Sequence, residues 1–323
     1  MRYLPLFILL GLLGCMEFPA EADFSFVHVT DSHVGVGQGA TSNASLDAAL
    51  YQEINALTPR PAFVIHTGDV CELGTDAQYA DYRAVVAALA MPHYDAPGNH
   101  DVRWNPRGKE GYVLGTGQPL YQSWDYQNIH FVLLDSTVLL QHWGHFDQAM
   151  LNWLGTDLRK VGTDTPIIIG FHHWIGRDPV MVDNEQALLD VVAPYNVRLW
   201  LQGHGHSDIQ WNINGVPAIM AEALYQGSYH LIEVTKDTLR VLRRTNKNKT
   251  PTEILSISLV RDTPPQWLPV IKSGVEEVNI NVPHGTLPPV SALAARLDTE
   301  TFIPLTATKE GWKAYDLFTG SFF

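Results

Sequence analysis

Five short polar clusters in this chain of 323 residues have the residue types and spacing to do chemistry: Asp31-Ser32-His33, Gly68-Asp69, Gly98-Asn99-His100-Asp101, His172-His173 and Gly203-His204-Gly205-His206. Carboxylate oxygen, amide oxygen and imidazole nitrogen, with no thiolate among them, are the donors that hard and borderline metal ions take. Singly, each cluster has a plain alternative. An Asp or Asn behind a strand is ordinarily a turn or a helix cap, and an isolated His is ordinarily a satisfied structural group. Together they supply enough donors for two ions. In a strand-end D-x-H or H-x-H unit, positions two apart face the same way, so Asp31 and His33 form one pair and His204 and His206 another. Two such pairs joined by one central carboxylate, Asp69, are what a dinuclear site requires, because ions ~3.5–4 Å apart can share a carboxylate while each keeps its own terminal ligands. The glycines before Asp69, Asn99 and His204 ease the backbone through tight turns.

Each cluster follows an apolar run, and these runs read as strands: 24–29, 62–66, 93–96, 130–134, 166–171, 197–201, 217–221, 229–234 and 239–243. Helical spacing of apolar residues marks 45–57, 76–89 behind a cap at Thr75 or Asp76, 147–161 behind Asp147, and 184–193. Strands alternating with helices, followed by strands alone, predict an α/β layered domain whose later strands pair antiparallel. In such a sheet the clusters sit at carboxyl ends of strands, where sites are built.

The order D-x-H, GD, GNHD, HH and GHxH, running from Asp31 to His206, resembles the calcineurin-like metallophosphoesterase superfamily. The blocks 68–73, 97–101, 131–136 and 146–158 are similar to its bacterial branch of cyclic-nucleotide phosphodiesterases. The resemblance implies a layered α-β-β-α sandwich and hydrolysis of a small phosphate ester, a phosphodiester before a phosphomonoester, by a hydroxide that bridges two metal ions. It places Asp31, His33 and His206 on one ion, Asn99, His172 and His204 on the other, and Asp69 between them. His100 matches the histidine that protonates the leaving oxygen or steadies charge in the transition state, with Asp101 orienting it by a hydrogen bond. The ligand set suits manganese, iron or zinc. The tyrosine ligand of purple acid phosphatases is missing, since Val70-Cys71-Glu72-Leu73 follows Asp69, which argues against a coloured iron-tyrosinate centre. His66 and Cys71 are read first as core groups. His173 is read as a structural group or as one that touches substrate or supports a ligand, and Trp174 and Trp211, which follow metal motifs, equally as packing or as pocket lining.

Composition sets the outer bounds. With 46% hydrophobic and 17% charged residues the chain is globular, and its net charge of −13 argues against general binding to nucleic acid or anionic membranes. Arg2 and the apolar run 4–13 predict a signal peptide over 1–22 and hence an exported protein. It is either a lipoprotein acylated at Cys15, its only membrane attachment, or a periplasmic or secreted protein cut after Ala22. The catalytic domain is expected over 23–245, a Pro- and Asn-rich linker over 246–263, and a small β module over 264–323. Two other uses of the fold compete with hydrolysis of a small ester. A surface lipoprotein would bind without hydrolysis, although no ligand is missing, and a nuclease would need a basic or aromatic groove.

Overall fold

The computed structural model describes residues 23–260 and the backbone of three later strands, so the expected signal peptide, with Cys15 and Ala22, lies outside the described residues. In chain order the first half runs β1 (Phe24–Val29), α1 (Asn43–Asn55), β2 (Val64–His66), α2 (Asp76–Val86), β3 (His93–Asp95), α3 (Asn99–Arg103), α4 (Lys109–Thr116), β4 (Gln122–Tyr126) and β5 (Ile129–Leu133). The second half runs α5 (Gln148–Val161), β6 (Ile167–Gly170), α6 (Glu185–Val192), β7 (Val197–Gln202), β8 (Ile209–Ile213), β9 (Val216–Met220), β10 (Tyr229–Val234), β11 (Thr238–Arg244) and β12 (Thr252–Ser258).

These strands make two six-stranded sheets, ordered β12-β11-β10-β1-β2-β3 and β4-β5-β6-β7-β9-β8. In the first sheet β1, β2 and β3 are parallel and the later strands β10 to β12 add antiparallel beside β1; in the second β5, β6, β7 and β9 are parallel, with β4 and β8 antiparallel at its edges. Successive residues of a strand point to opposite faces, and here each face meets a different layer. Ile167 and Ile169 pack outward with Leu151, Leu154 and Leu158 of α5 and Leu188 of α6. Ile168 between them points inward, joining Phe26, Phe63, Phe131 and Leu199 in the core between the sheets. On the other outer side Val27 and Val64 pack with Leu50 and Ile54 of α1 and with Tyr79 and Tyr82 of α2. The result is the α-β-β-α sandwich. Near-continuous apolar strands are what a sheet covered on both faces needs.

The helices begin where side chains can satisfy their first amides. Ser42 accepts from Ser45 N, Thr75 from Gln78 N and Asp147 from Ala149 N. One element corrects the sequence reading: β12 falls inside the stretch 246–263 expected as a linker. It pairs with β11 as the edge strand and buries Ile257 and Leu259, so the Asn246–Thr250 segment is a loop between paired strands. Beyond it, β13 (Leu293–Leu297), β14 (Thr301–Thr308) and β15 (Gly311–Ala314) form an antiparallel sheet of their own in a second unit, Gln266–Phe323.

An ion pair between a buried arginine and a partly exposed glutamate ties the end of β11 to α1. Arg244, 3% exposed, donates from Nε to Glu53 Oε1 at 2.7 Å and from Nη2 to Glu53 Oε2, and its Nη1 reaches Gly227 O. Removing one partner strands a buried charge, whereas an apolar pair of similar volume does not. Glu53→Ala is therefore expected to lower the unfolding free energy by about 3–5 kcal/mol in urea titration, and Glu53→Leu with Arg244→Met to cost much less. Equal losses would contradict this.

Candidate metal centre

All five clusters come to the same edge. Asp31 and His33 follow β1, Asp69 follows β2, Asn99 and His100 open α3 after β3, His172 follows β6, and His204 and His206 follow β7. The two sheets thus each supply part of one site. The backbone there is unusual. Of the eight non-glycine residues with positive φ among the described residues, five are Asp31, His33, Asp69, His204 and His206. Such conformations cost about 1–3 kcal/mol each and persist at functional sites. Gly98 is required by closeness, because a Cβ there would collide with the backbone N and carboxylate of Asp69.

The side chains converge on two spots that share Asp69. Asp31 Oδ1 lies 3.1 Å from His206 Nε2, which is 3.1 Å from His33 Nε2. His172 Nε2 lies 3.1 Å from each of Asp69 Oδ2, Asn99 Oδ1 and His204 Nδ1. The same Oδ2 of Asp69 is 3.6 Å from His33 Nε2, between the two groups. Asp31, His33 and His206, and likewise Asp69, His172 and His204, each bring one ligand atom apiece within 4.8 Å of one another. Asp31 Oδ1 is buried without a hydrogen-bond partner. A buried, unpaired carboxylate oxygen facing imidazole nitrogens fits a cation between them.

The remaining polar atoms of these residues are held by neighbours, which sets the direction of each donor. Asp31 Oδ2 accepts from Thr30 Oγ1 and His204 N, and Asp69 Oδ1 accepts from His100 N. His172 Nδ1 donates to Thr67 O. His33 Nδ1 meets Glu72 Oε2 at 2.6 Å, and His206 Nδ1 meets the Tyr225 hydroxyl at 3.2 Å.

Such an arrangement of five blocks has relatives. The calcineurin-like phosphoesterase family profile matches residues 24–208. The chain belongs to the calcineurin-like phosphoesterase family. As a phosphoesterase it is a hydrolase of phosphate esters. It is 32% identical over 212 residues to a probable glycerophosphodiester phosphodiesterase of Arcobacter nitrofigilis, covering 58% of this chain and 74% of that protein. It is also 32% identical over 202 residues to a 3',5'-cyclic adenosine monophosphate phosphodiesterase of Pseudomonas aeruginosa, covering 58% and 71%. A dimetal phosphatase from Danio rerio shares the fold, with a TM-score of 0.57 at 15% identity over 74% of this chain and 99% of that one.

In this phosphoesterase Asp101 does something other than the sequence reading expects. Its carboxylate accepts the backbone N–H groups of Val70, Cys71 and Gly98, pinning the loops that carry Asp69 and Asn99. The His100 ring instead donates from Nδ1 to Glu72 O at 2.8 Å. Burial and the charge of Asp69 push Asp101 up to about 7, although three backbone donors pull the other way. His173 is structural, both ring nitrogens being engaged by Ser136 Oγ and His142 O. His66 is a core imidazole between Ser32 Oγ and Gly68 N, and burial lowers it to about 4. Cys71 is a buried thiol that burial pushes upward. Glu72, Tyr225 and His142, whose ring lies 4.6 Å from that of His204, were not visible as site residues. Only Glu72 carried a signal, an acid within three residues of Asp69.

Two predictions follow from these contacts. Burial opposes charge on His33, but the Asp31 and Asp69 carboxylates hold it up at about 10, and Asp69 likewise holds His172 at about 9. Both values are raised in the metal-free fold. Their stability contribution is therefore complete below the ordinary imidazole value of 6.5 and is lost as pH rises through 9 and 10. The Tm of metal-free protein should fall from about pH 7 to about pH 10; a flat profile contradicts it. In the second, Glu72→Gln weakens the hold on His33 and should reduce metal affinity by about 10–100-fold in a competition titration, with the fold intact by circular dichroism.

Proposed function

We propose that the protein is an exported phosphodiesterase with two metal ions, Asp31, His33 and His206 holding one, Asn99, His172 and His204 the other, and Asp69 both. The observation that carries this is the shared carboxylate: one oxygen of Asp69 stands between two complete donor groups. The nitrogen and oxygen donors suit manganese, iron or zinc. When bound, the ions supply positive charge for the phosphoryl oxygens and lower the pKa of water.

The chain's own residues do the rest. Glu72 O fixes the tautomer of His100 by accepting its Nδ1 proton, and Nε2 has no hydrogen-bond partner among the described residues. With Nδ1–H kept on Glu72 O, a second proton taken up at Nε2 can pass to the leaving oxygen and return the ring to its neutral tautomer; the ring, 23% exposed, is open to substrate. His100 N also donates to Asp69 Oδ1, so the acid and the shared carboxylate keep a set spacing. Asp101 serves by holding both of their loops.

A small diester, of the kind named in the phosphodiesterases this chain resembles, is favoured over a monoester. The fold's use for binding alone is disfavoured because every donor is present and converges. A nucleic-acid substrate fits poorly with a net charge of −13. Export, with or without a lipid on Cys15, rests on the N-terminal apolar run.

The test is to strip metal, restore manganese, and compare bis(4-nitrophenyl) phosphate with 4-nitrophenyl phosphate. Asp69→Asn should abolish activity, and the diester should be the faster substrate. His100→Ala should lower kcat by about 10²–10⁴-fold on an alkyl leaving group and by less on 4-nitrophenolate, which needs little help from an acid. Full activity in Asp69→Asn would sink the reading.

A further inference from the structure

Next to His204 stands a group of side chains that the proposed mechanism does not use. The Trp174 ring lies 5.3 Å from that of His204, and a Cβ on Gly205 would come within 3.2 Å of Trp174 Cζ3. The guanidinium of Arg177 lies over this indole at 5.7 Å and over that of Trp211 at 5.2 Å. Both indoles are already fixed without it. Trp174 Nε1 donates to Pro179 O at 2.8 Å and Trp211 Nε1 to Ile175 O at 2.9 Å.

The arginine has what a ligand contact needs. Its guanidinium makes no ion pair or hydrogen bond with another described residue, and it is only half-buried. Glu185 Oε2 accepts from Gly176 N at 2.9 Å, and the exposed Asp178, next in the chain, makes no ion pair with Arg177. In a chain with 34 acidic and 21 basic residues, a cation left without a carboxylate, and separated from His204 by one indole, is set against the general field. Cation–π contact with two aromatic rings attracts the guanidinium while leaving its N–H donors free for an anion.

We propose that Arg177, held by Trp174 and Trp211 beside His204, binds a second anionic group of the substrate, a carboxylate or phosphate carried on one ester arm. The proposal rests on the phosphodiesterase reading and narrows it to diesters whose own charge exceeds that of the scissile phosphate. Arg177 is then a specificity residue: it acts on binding and leaves the chemical step alone.

The experiment uses full-length protein with manganese and two series of 4-nitrophenyl alkyl phosphodiesters of graded arm length. One series ends in a carboxylate and the other in the matching carboxamide. At the arm length that fits, the wild type should favour the carboxylate by about tenfold in kcat/KM, through KM. Arg177→Gln should erase that preference while matching wild-type kcat/KM on the carboxamide, and Arg177→Lys should keep part of it. The proposal is overturned if the wild type shows no carboxylate preference at any length. It is equally overturned if the preference survives in Arg177→Gln, or if that variant loses activity on both series alike, which is the mark of a structural latch. Wild type inactive on both series overturns the phosphodiesterase reading itself, and this one with it.

Discussion

The fold is arranged around a cost: two carboxylates, Asp31 at 0% and Asp69 at 1% exposure, are buried at the seam where two sheets meet. Burial alone would drive both toward the neutral acid. Neighbouring imidazoles, His206 and His33 for Asp31 and His172 and His33 for Asp69, instead hold both carboxyls below the ordinary carboxylate range. Those imidazoles arrive from β1, β6 and β7, so the charge balance depends on the sheets packing in one register. The Phe26, Phe63 and Phe131 core between them is what sets that register. Site electrostatics and inter-sheet packing are in this sense one constraint.

The site also separates its imidazoles by environment. His172, against Asp69, is held up at about 9, while His204 is lowered to about 3 by burial and by the charge of His172. Two histidines whose nitrogens lie 3.1 Å apart cannot both be protonated cheaply. Without a metal the pair holds one proton on the His172 side; a cation between the two nitrogens would satisfy both lone pairs at once. Left-handed backbone at five of the proposed ligand positions turns these side chains inward at the strand ends; Thr30 holds Asp31 and Glu72 holds His33 there, while His172 is oriented by donating to Thr67 O.

The exchange of roles between Asp101 and Glu72 shows how position in a loop differs from position in a sequence. Asp101 adjoins His100 in the chain, yet α3 turns its carboxylate back to three amides, in a helix-start position where acids are favoured. Glu72 lies 28 residues from His100 and reaches it with a carbonyl while its carboxylate takes His33. One residue thereby links a proposed ligand of one ion to the proposed acid.

Much of this was legible in the chain alone. The residue types, the order of the five blocks and the apolar runs that lead into them are local patterns, so the strands and the principal helices could be read without coordinates, and the resemblance carried by that order implied the convergence of Asp31, His33, Asp69, Asn99, His100, His172, His204 and His206. Three strands were not. β4 and β12 are edge strands with mixed polar faces, and β8 was overlooked although its Asn214-Gly215 turn to β9 is a strong hairpin signal. What tertiary structure alone decided are the contacts between residues with no periodic relation: Glu72 on His33, Tyr225 on His206, Asp101 on the Asp69 loop, and Arg177 over two distant tryptophans. Pattern fixes which face a residue shows, because it follows from backbone geometry repeated along the chain. Which partner that face meets depends on how two sheets and their loops pack in space.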